Sequence, residues 1–279
     1  MANLYHYTTG AGLLGMMKDY SEKNKNLTMW ATHYMYMNDP TEYEYGKSIC
    51  LNIINDIEEG LHKPSKDCVK ELLTKYNVIS KIGKQHITSQ KLAMCPFLIS
   101  FSQVEDSLRM WDMYAKKGNG IAIVLNREKL NSFYPTKDCI YYKENVDYET
   151  LKQEITTLYT EKINTLQTFS TFPKFEKALY IFMFICLTHG VFIKHLAYEE
   201  ELETRISIPQ TNTTLFREKN GMIIPYMEQQ IPFECIENII VGPTADFDRV
   251  RESILLLMNS KGIEWKEDKI IKSKVPYRI

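Results

Sequence analysis

The most informative stretch of the sequence is CPFLISFSQVEDSLRMWDMYAKKGNGIAIVLN, residues 95–126. Two short apolar runs, at 97–99 and 121–125, are bounded by Ser, Gly and Asn, a pattern typical of buried strands. Between them, residues 108–114 place apolar and aromatic side chains at the spacing of a helix. The stretch therefore predicts a strand–helix–strand unit at the centre of the fold. Its serine-rich strand end and the turn at 118–120 are expected near a cleft, where ligands usually meet a rigid scaffold.

The rest of the chain alternates short strands with longer helices. Strands are predicted at 4–8, 28–32, 139–142 and 236–241, a hairpin at 215–225, a strand after the acidic run within 198–208, and a strand-like tail at 269–279. Helices are predicted at 11–18, 147–170, 174–188 and 246–261, and residues 43–92 are predicted to be mostly helical. The pattern indicates an α+β fold with a small mixed or split β-sheet core. One domain, 1–279, with helical insertions at about 43–92 and 147–190 is expected.

Composition excludes several classes of protein. The chain is 44% hydrophobic and 25% charged with a net charge of −1, so no global basic field attracts nucleic acid or an anionic membrane. Its six cysteines are spread singly, which argues against a zinc site and against a disulfide framework. The most apolar run, at 178–187, has ten residues without a charged group and is too short to span a bilayer, which needs roughly 20. With no leader pattern at the N-terminus, a cytoplasmic protein without a membrane partner is predicted.

His6 and Thr8 are the first candidate site residues. At positions i and i+2 of a strand they point to the same face, so both can hydrogen-bond one ligand. The alternative is a half-buried strand that carries a histidine with a structural hydrogen bond.

A second candidate lies in the run Glu199 to Arg205. On a strand, Glu201, Glu203 and Arg205 share one face, and such a row of charges is costly to bury unless the charges are paired or used. The functional interpretation is a site where one carboxylate polarises a hydroxyl group and the other positions a nucleophile. The alternative is a solvated acidic edge with Arg205 as its partner.

The remaining candidates are weaker. Asn38, Asp39 and Glu42 surround Pro40 in a pattern that a helix cap explains, although they are also candidates for substrate contacts. Ser100 and Ser102 can support a ligand or the neighbouring backbone. Trp111 and Tyr114 are candidate substrate contacts whose rings are more often part of a core. The sequence has no P-loop, GxGxxG, HExxH or GxSxG motif.

Several motifs together are similar to one family. They are residues 4–8, Trp30 with 37–42, 99–102, 111–114, 118–123, 201–205, 240–243 and 276–278. In this order they resemble a large, mostly bacterial family known only as a domain of unknown function. The resemblance extends over nearly the whole chain and is weakest in the two helical blocks. The resemblance names no reaction. Proteins of this kind look like products of bacterial accessory genes, and this context implies a toxin or an effector of anti-phage defence.

The chain also resembles the ADP-ribosyltransferase-like superfamily, more distantly, through His-x-Thr, Ser-x-Ser and Glu-x-Glu in that order. The resemblance implies that NAD is the substrate and that no metal is needed. His6 and Thr8 would bind NAD, Ser100 and Ser102 would brace the site, and Tyr7 or Tyr34 would supply a ring that stacks on the nicotinamide. Among the carboxylates, Glu203 would be catalytic and Glu201 would orient the acceptor. Asn38, Asp39, Glu42, Trp111, Tyr114 and Arg205 would contact substrate.

The reaction implied by this resemblance is loss of nicotinamide through an oxocarbenium-like state, stabilised electrostatically, followed by attack of an acceptor or of water. The register within 199–203 leaves open which glutamate is catalytic. The acceptor stays unidentified among protein, nucleic acid and small molecules, and a homodimer is left open.

Two other functions compete with this one. A metal-dependent nuclease or phosphodiesterase would use Asp39, Glu42, Glu201 and Glu203 around Mg²⁺. A non-enzymatic defence module would bind a nucleotide or a protein, with the apolar helix at 178–187 forming a dimer interface.

Overall fold

The frame of the fold is a mixed β-sheet, and the computed structural model describes residues 3–39, 42–59, 96–167, 174–209, 214–219 and 221–277. The strands are β1 (Asn3–Thr8), β2 (Asn26–His33), β3 (Phe97–Ser102), β4 (Ile121–Asn126), β5 (Lys137–Asp138), β6 (Ile140–Tyr141), β7 (Ile193–Lys194), β8 (Glu203–Ile208), β9 (Leu215–Lys219), β10 (Met222–Pro232), β11 (Ile236–Val241) and β12 (Ile270–Lys272).

Helices connect these strands and cover the sheet. The α-helices are α1 (Gly10–Met16), α2 (Glu42–Glu59), α3 (Leu108–Tyr114), α4 (Arg127–Asn131), α5 (Glu144–Gln167), α6 (Lys174–Thr188) and α7 (Phe247–Ser260). Short 3₁₀ turns lie at Tyr34–Tyr36, Gly190–Phe192, Leu196–Glu201, Phe233–Cys235 and Glu267–Lys269.

The strand–helix–strand unit is confirmed as β3, α3 and β4. The Ser107 hydroxyl caps α3 by accepting a hydrogen bond from the Met110 amide. Trp111, on the inner face of this helix, is fully buried. Three successive residues with positive φ, Lys116 to Gly118, then end the helical turn and return the chain to β4. The turn at 118–120 packs against Pro243 and Tyr277 and does not line the cavity described below.

The sheet is split. Its order is β12-β11-β4-β1-β3-β2-β10-β9, and β8 pairs along the whole opposite edge of β3, with β5 beyond it. β1 meets β3 only at the Tyr5–Ser102 pair, and β2 meets β3 only through Thr32 and His33. On that edge the middle of β3 therefore has no strand partner among the described residues. The gap separates two half-sheets, β12-β11-β4-β1 and β2-β10-β9.

The α+β class is confirmed, and with ten strands in the described residues the sheet is larger than the small core predicted. One large cluster of buried side chains packs α1 and α7 against the sheet. A second cluster joins α2, α5 and α6, so the described parts of the two predicted helical insertions pack on each other. Residues 60–92 of the first insertion lie outside the described residues.

Other sequence predictions are met with small differences. The hairpin at 215–225 forms as β9 and β10, with Gly221 at φ 77° in the turn. The strand-like tail is confirmed only for Ile270–Lys272. Cys50, Cys139, Cys186 and Cys235 are buried free thiols, whereas Cys68 and Cys95 lie outside the described residues. Within the described ranges, no helix combines the length and the apolar character needed to cross a membrane.

Candidate functional site

A cavity of about 510 Å³ lies in the split of the sheet. Its walls come from β1 and α1 on one side, from β2 and β9 on the other, and from the middle of β3, whose edge between β1 and β2 has no strand partner among the described residues. Eleven predicted site residues line it, although their motifs lie far apart in the sequence: His6, Tyr7, Thr8, Asn38, Asp39, Ser100, Ser102, Tyr114, Glu201, Glu203 and Arg205. The fold thus brings the three main candidate motifs to one place.

The His6 side chain links β1 to the middle of β3, where no backbone pairing joins these two strands. Its Nδ1 lies 3.1 Å from the Ser100 carbonyl oxygen, which can only accept a hydrogen bond, so Nδ1 carries the proton. Burial lowers the pKa of His6, against the opposing effect of this hydrogen bond. A neutral ring protonated at Nδ1 leaves the Nε2 lone pair as an acceptor for a hydroxyl group of a ligand. The predicted structural hydrogen bond and a ligand contact are therefore compatible.

The two serines of β3 have different roles. The Ser102 hydroxyl donates to the Glu201 carbonyl oxygen at 2.7 Å and accepts from the Val104 amide at 3.0 Å, so it fixes the backbone that carries Glu201. The Ser100 hydroxyl is buried and has no hydrogen-bond partner within the described part of the chain. Such a group costs free energy unless something else bonds to it. Ser100 is thus a candidate ligand contact in the cavity wall, whereas Ser102 holds the backbone of the site.

Four charged side chains form a buried cluster at the floor of the cavity. The Lys194 ammonium lies 2.7 Å from Glu201 Oε2 and 2.6 Å from Glu203 Oε2. Arg205 donates through Nε and Nη2 to the two oxygens of Glu203, at 2.7 and 2.9 Å, and through Nη1 to the Val191 carbonyl oxygen. All four side chains are at most 7% exposed. The alternative of a solvated acidic edge is therefore wrong, because the charges are buried and paired.

Glu201 is not on the strand as predicted. β8 begins at Glu203, and Leu202 has a φ of 39°, so Glu201 ends the preceding 3₁₀ turn. The bend at Leu202 nevertheless turns both carboxylates onto Lys194. Glu203 and Arg205 share a face of β8, as their spacing predicts.

The cluster keeps Glu203 ionised. Burial alone raises the pKa of a carboxyl group, but the charges of Arg205 and Lys194 and their hydrogen bonds outweigh it and lower the pKa of Glu203 to about 2. The formal charges of the four side chains cancel. A carboxylate has about four acceptor positions. Three are used on Glu203 and two on Glu201, where the Tyr114 hydroxyl donates to Oε1 at 2.9 Å, so Glu201 has more capacity left for a ligand.

Lys194 also bears on the metal hypothesis. Its ammonium group lies between the two carboxylates, in the position that a cation bridging them would take. No group of three or more His, Cys, Asp or Glu side chains that could hold a metal ion is found in the described residues. Glu42 begins α2, but its side chain lies outside what the structure describes. The geometry that is described favours an ion-pair cluster at Glu201 and Glu203.

Three predicted aromatic contacts need correction. Trp111 is fully buried, and its indole nitrogen donates to Asp106 at 2.6 Å. The Tyr7 ring packs edge-on against Trp111, and its hydroxyl bonds the backbone of residues 104–107. Tyr34 is buried in a core cluster with Leu98. The hydrophobic effect places these rings in the core. Trp111 and Tyr34 do not line the cavity, and Tyr7 lines it with its ring packed on Trp111.

Three further residues line the cavity that were not predicted as site residues: Lys194, Trp30 and Arg217. Trp30 lines the cavity with Thr28 and Thr32, its neighbours on the same face of β2. That alternation is visible in the sequence and could have placed Trp30 in the site. Lys194 follows a greasy helix in a two-residue strand and Arg217 lies in a charged hairpin, so neither carries a local signal.

Comparison with known proteins gives one match. Residues 110–206 match the model of a family described as "Protein of unknown function (DUF2971)". The match supports the predicted resemblance to a domain of unknown function. The resemblance is expected over nearly the whole chain, whereas the matched range begins at residue 110 and leaves out β1 and β2. No curated protein and no solved structure matches the chain. The matched range includes Tyr114, Lys194 and the 201–205 motif, so it contains the whole charged cluster and its tyrosine.

Proposed function

We propose that the cavity in the split sheet binds NAD and that the protein breaks the bond between nicotinamide and ribose, with transfer of ADP-ribose to an acceptor or to water. The observation that carries the proposal is the meeting of three features in one cavity: His6, the Glu201–Glu203 pair, and the Ser100 hydroxyl, which has no hydrogen-bond partner in the part of the chain that the structure describes. Its volume, about 510 Å³, is within the usual range of roughly 300–1,000 Å³ for pockets that bind small molecules and cofactors.

The residues divide the work by their hydrogen-bonding capacity. The Nε2 atom of neutral His6 accepts from a ribose hydroxyl, and the Ser100 hydroxyl donates to or accepts from the same sugar. An acceptor position on Glu201 or Glu203 takes the hydroxyl next to the reacting carbon. Since the formal charges of the cluster cancel, the carboxylates act through this local contact, with no net negative charge from the cluster as a whole.

The bond changes balance without a cofactor. The ribose C1′–nitrogen bond breaks, and its electron pair leaves with neutral nicotinamide. The oxocarbenium-like ribose is stabilised by the carboxylate that bonds its hydroxyl. An oxygen of water or of the acceptor then bonds C1′ and releases its proton to solvent.

Nicotinamide release from NAD, followed by chromatography, tests this proposal. The wild-type protein is expected to release nicotinamide. Glu201→Gln and Glu203→Gln are each expected to reduce the rate at least about 100-fold, since each removes one of the two charged carboxylates that share Lys194 beside the reacting sugar. Glu200→Gln is the matched control, because its side chain is 73% exposed and pairs with Arg109 on the surface.

Circular dichroism must show that each variant is folded, since Glu203→Gln leaves Arg205 without its carboxylate. Glu201→Gln retains the Glu203–Arg205 pair and is the second test if Glu203→Gln does not fold. Wild-type protein that releases no nicotinamide, alone or with cell extract as a source of acceptor, would contradict the proposal. A binding module or a metal-dependent enzyme would then be the better hypothesis.

A further inference from the structure

We infer that Arg217 and Lys219 form a subsite for the phosphate groups of a nucleotide at the β9 side of the cavity. The ligand's identity as NAD rests on the proposed function, but the phosphate chemistry rests on the residues of the subsite alone. Both side chains line the cavity, and as residues i and i+2 of β9 they point to the same face.

Arg217 is held in place by aromatic rings. Its guanidinium carbon lies 4.9 Å from the centre of the Trp30 ring and 5.6 Å from that of Tyr226. Its Nη2 donates to the Thr32 hydroxyl at 2.9 Å. These contacts fix the plane of the guanidinium before any ligand arrives, and a planar, preorganised guanidinium is well suited to bind two phosphate oxygens at once.

Arg217 has no counterion within the described ranges of the chain. Of its five N–H groups only one has a partner there, and the buried Nε has none. Burial lowers the pKa of Arg217, against a smaller opposing effect of Tyr226. A half-buried cation that no anion compensates is costly. Lys219 beside it is exposed and likewise has no carboxylate partner in this part of the structure.

The position of the subsite fits a long ligand. Three strand spacings separate β9 from β3, or roughly 14 Å at about 4.8 Å each, and Glu203 lies one strand further on the opposite edge of β3. A ligand whose sugar hydroxyls reach Ser100 and the glutamates therefore has its anionic part near Arg217. A nucleoside diphosphate linked to a second ribose has this arrangement of groups.

Calorimetric titration with ADP-ribose, which has the diphosphate but no nicotinamide, tests the subsite. Arg217→Gln is expected to weaken ADP-ribose binding about tenfold or more, because it removes charge-assisted hydrogen bonds. Lys219→Gln, at an exposed position that does not affect folding, is expected to weaken it several-fold. Binding of adenosine, which has no phosphate, is expected to be equal in all variants. Raising the salt concentration is expected to reduce the wild-type affinity for ADP-ribose more than that of Arg217→Gln.

Arg249→Gln is the matched control, since it removes the same charge from a side chain that is 88% exposed on α7. Equal ADP-ribose affinity in the wild type and both subsite variants would overturn the inference, as would no ADP-ribose binding by the wild type. Binding that depends on Arg217 in a protein that releases no nicotinamide would support the subsite and refute the proposed reaction. Nicotinamide release by the wild type, with a KM for NAD that Arg217→Gln leaves unchanged, would support the proposed reaction and refute the subsite.

Discussion

Glu203 is held between Lys194 and Arg205, and this arrangement couples the stability of the fold to pH. Its folded-state pKa, about 2, is below the ordinary value of 4.5. A carboxyl group with a lowered pKa contributes stability above its ordinary pKa and loses that contribution as the pH falls toward the folded value. The window of loss is therefore about pH 4.5 to 2.

The wild type is predicted to lose about 3 kcal/mol of unfolding free energy in this window through Glu203 alone. Urea unfolding of wild type and Glu203→Gln between pH 7 and 3 measures it. The stability gap between the two proteins is expected to narrow below pH 4.5. A constant gap across this range would show that Glu203 is not held ionised by its neighbours.

Ser100 and Ser102 allow a comparison of two serine-to-alanine variants on the same strand. Ser102→Ala is predicted to cost about 1–3 kcal/mol, because it removes two hydrogen bonds inside the protein. Ser100→Ala removes a hydroxyl that has no partner within the described residues, so stability is expected to stay equal or to rise slightly. NAD binding by Ser100→Ala is expected to weaken about fivefold, as for the loss of one neutral hydrogen bond.

Thermal unfolding and NAD titration of the two variants check this prediction. A large loss of stability in Ser100→Ala, with NAD affinity unchanged, would mean that the Ser100 hydroxyl has a structural partner and no role toward a ligand.

Close packing of α2 against the Gly190–Phe192 turn controls the position of Lys194. An added Cβ on Gly46 would lie 2.1 Å from the Gly190 carbonyl oxygen, a backbone atom that cannot rotate away. The turn leads directly into β7, which carries Lys194. Only glycine at position 46 allows this approach of the two backbones.

Gly46→Ala is therefore predicted to destabilise the protein by about 1–3 kcal/mol, although alanine normally stabilises a helix interior. Gly15→Ala in α1 is the control, since an added Cβ there meets no atom within 4 Å. It is expected to raise stability by about 0.5–1 kcal/mol. Urea midpoints compare the two, and a stabilised Gly46→Ala would show that α2 does not pack this closely.

The elements that the sequence predicts best are those defined by local signals. β1, β3, α3, β4 and α7 follow from short apolar runs, glycine turns and helix spacing. Lys194 and Arg217 could not be predicted as site residues, because their partners lie on other elements. Lys194 meets its glutamates only when α6 and the following turn are packed, and Arg217 meets Trp30 only through the pairing of β2 with β10 and of β10 with β9.

In the whole molecule, a mixed or split sheet is predicted, but the place where the sheet splits is the feature that the sequence could not determine. The motifs at His6, Ser100 and Glu203 are each visible along the chain. Their meeting depends on β1 and β2 pairing with opposite ends of β3, and strand register over such distances has no local signature. Residues of both half-sheets and of the charged cluster line the cavity.

NAD binding in this cavity is the proposal on which the roles of His6, Ser100 and the glutamates depend. Titration calorimetry with carba-NAD, in which a methylene group replaces the ring oxygen of the nicotinamide ribose so that the bond is not cleaved, tests it most directly. We predict saturable binding at one site in the wild type and binding at least about tenfold weaker in His6→Ala, which removes an imidazole that lines the cavity. No saturable binding at millimolar carba-NAD, or equal affinity in the two proteins, would contradict the account.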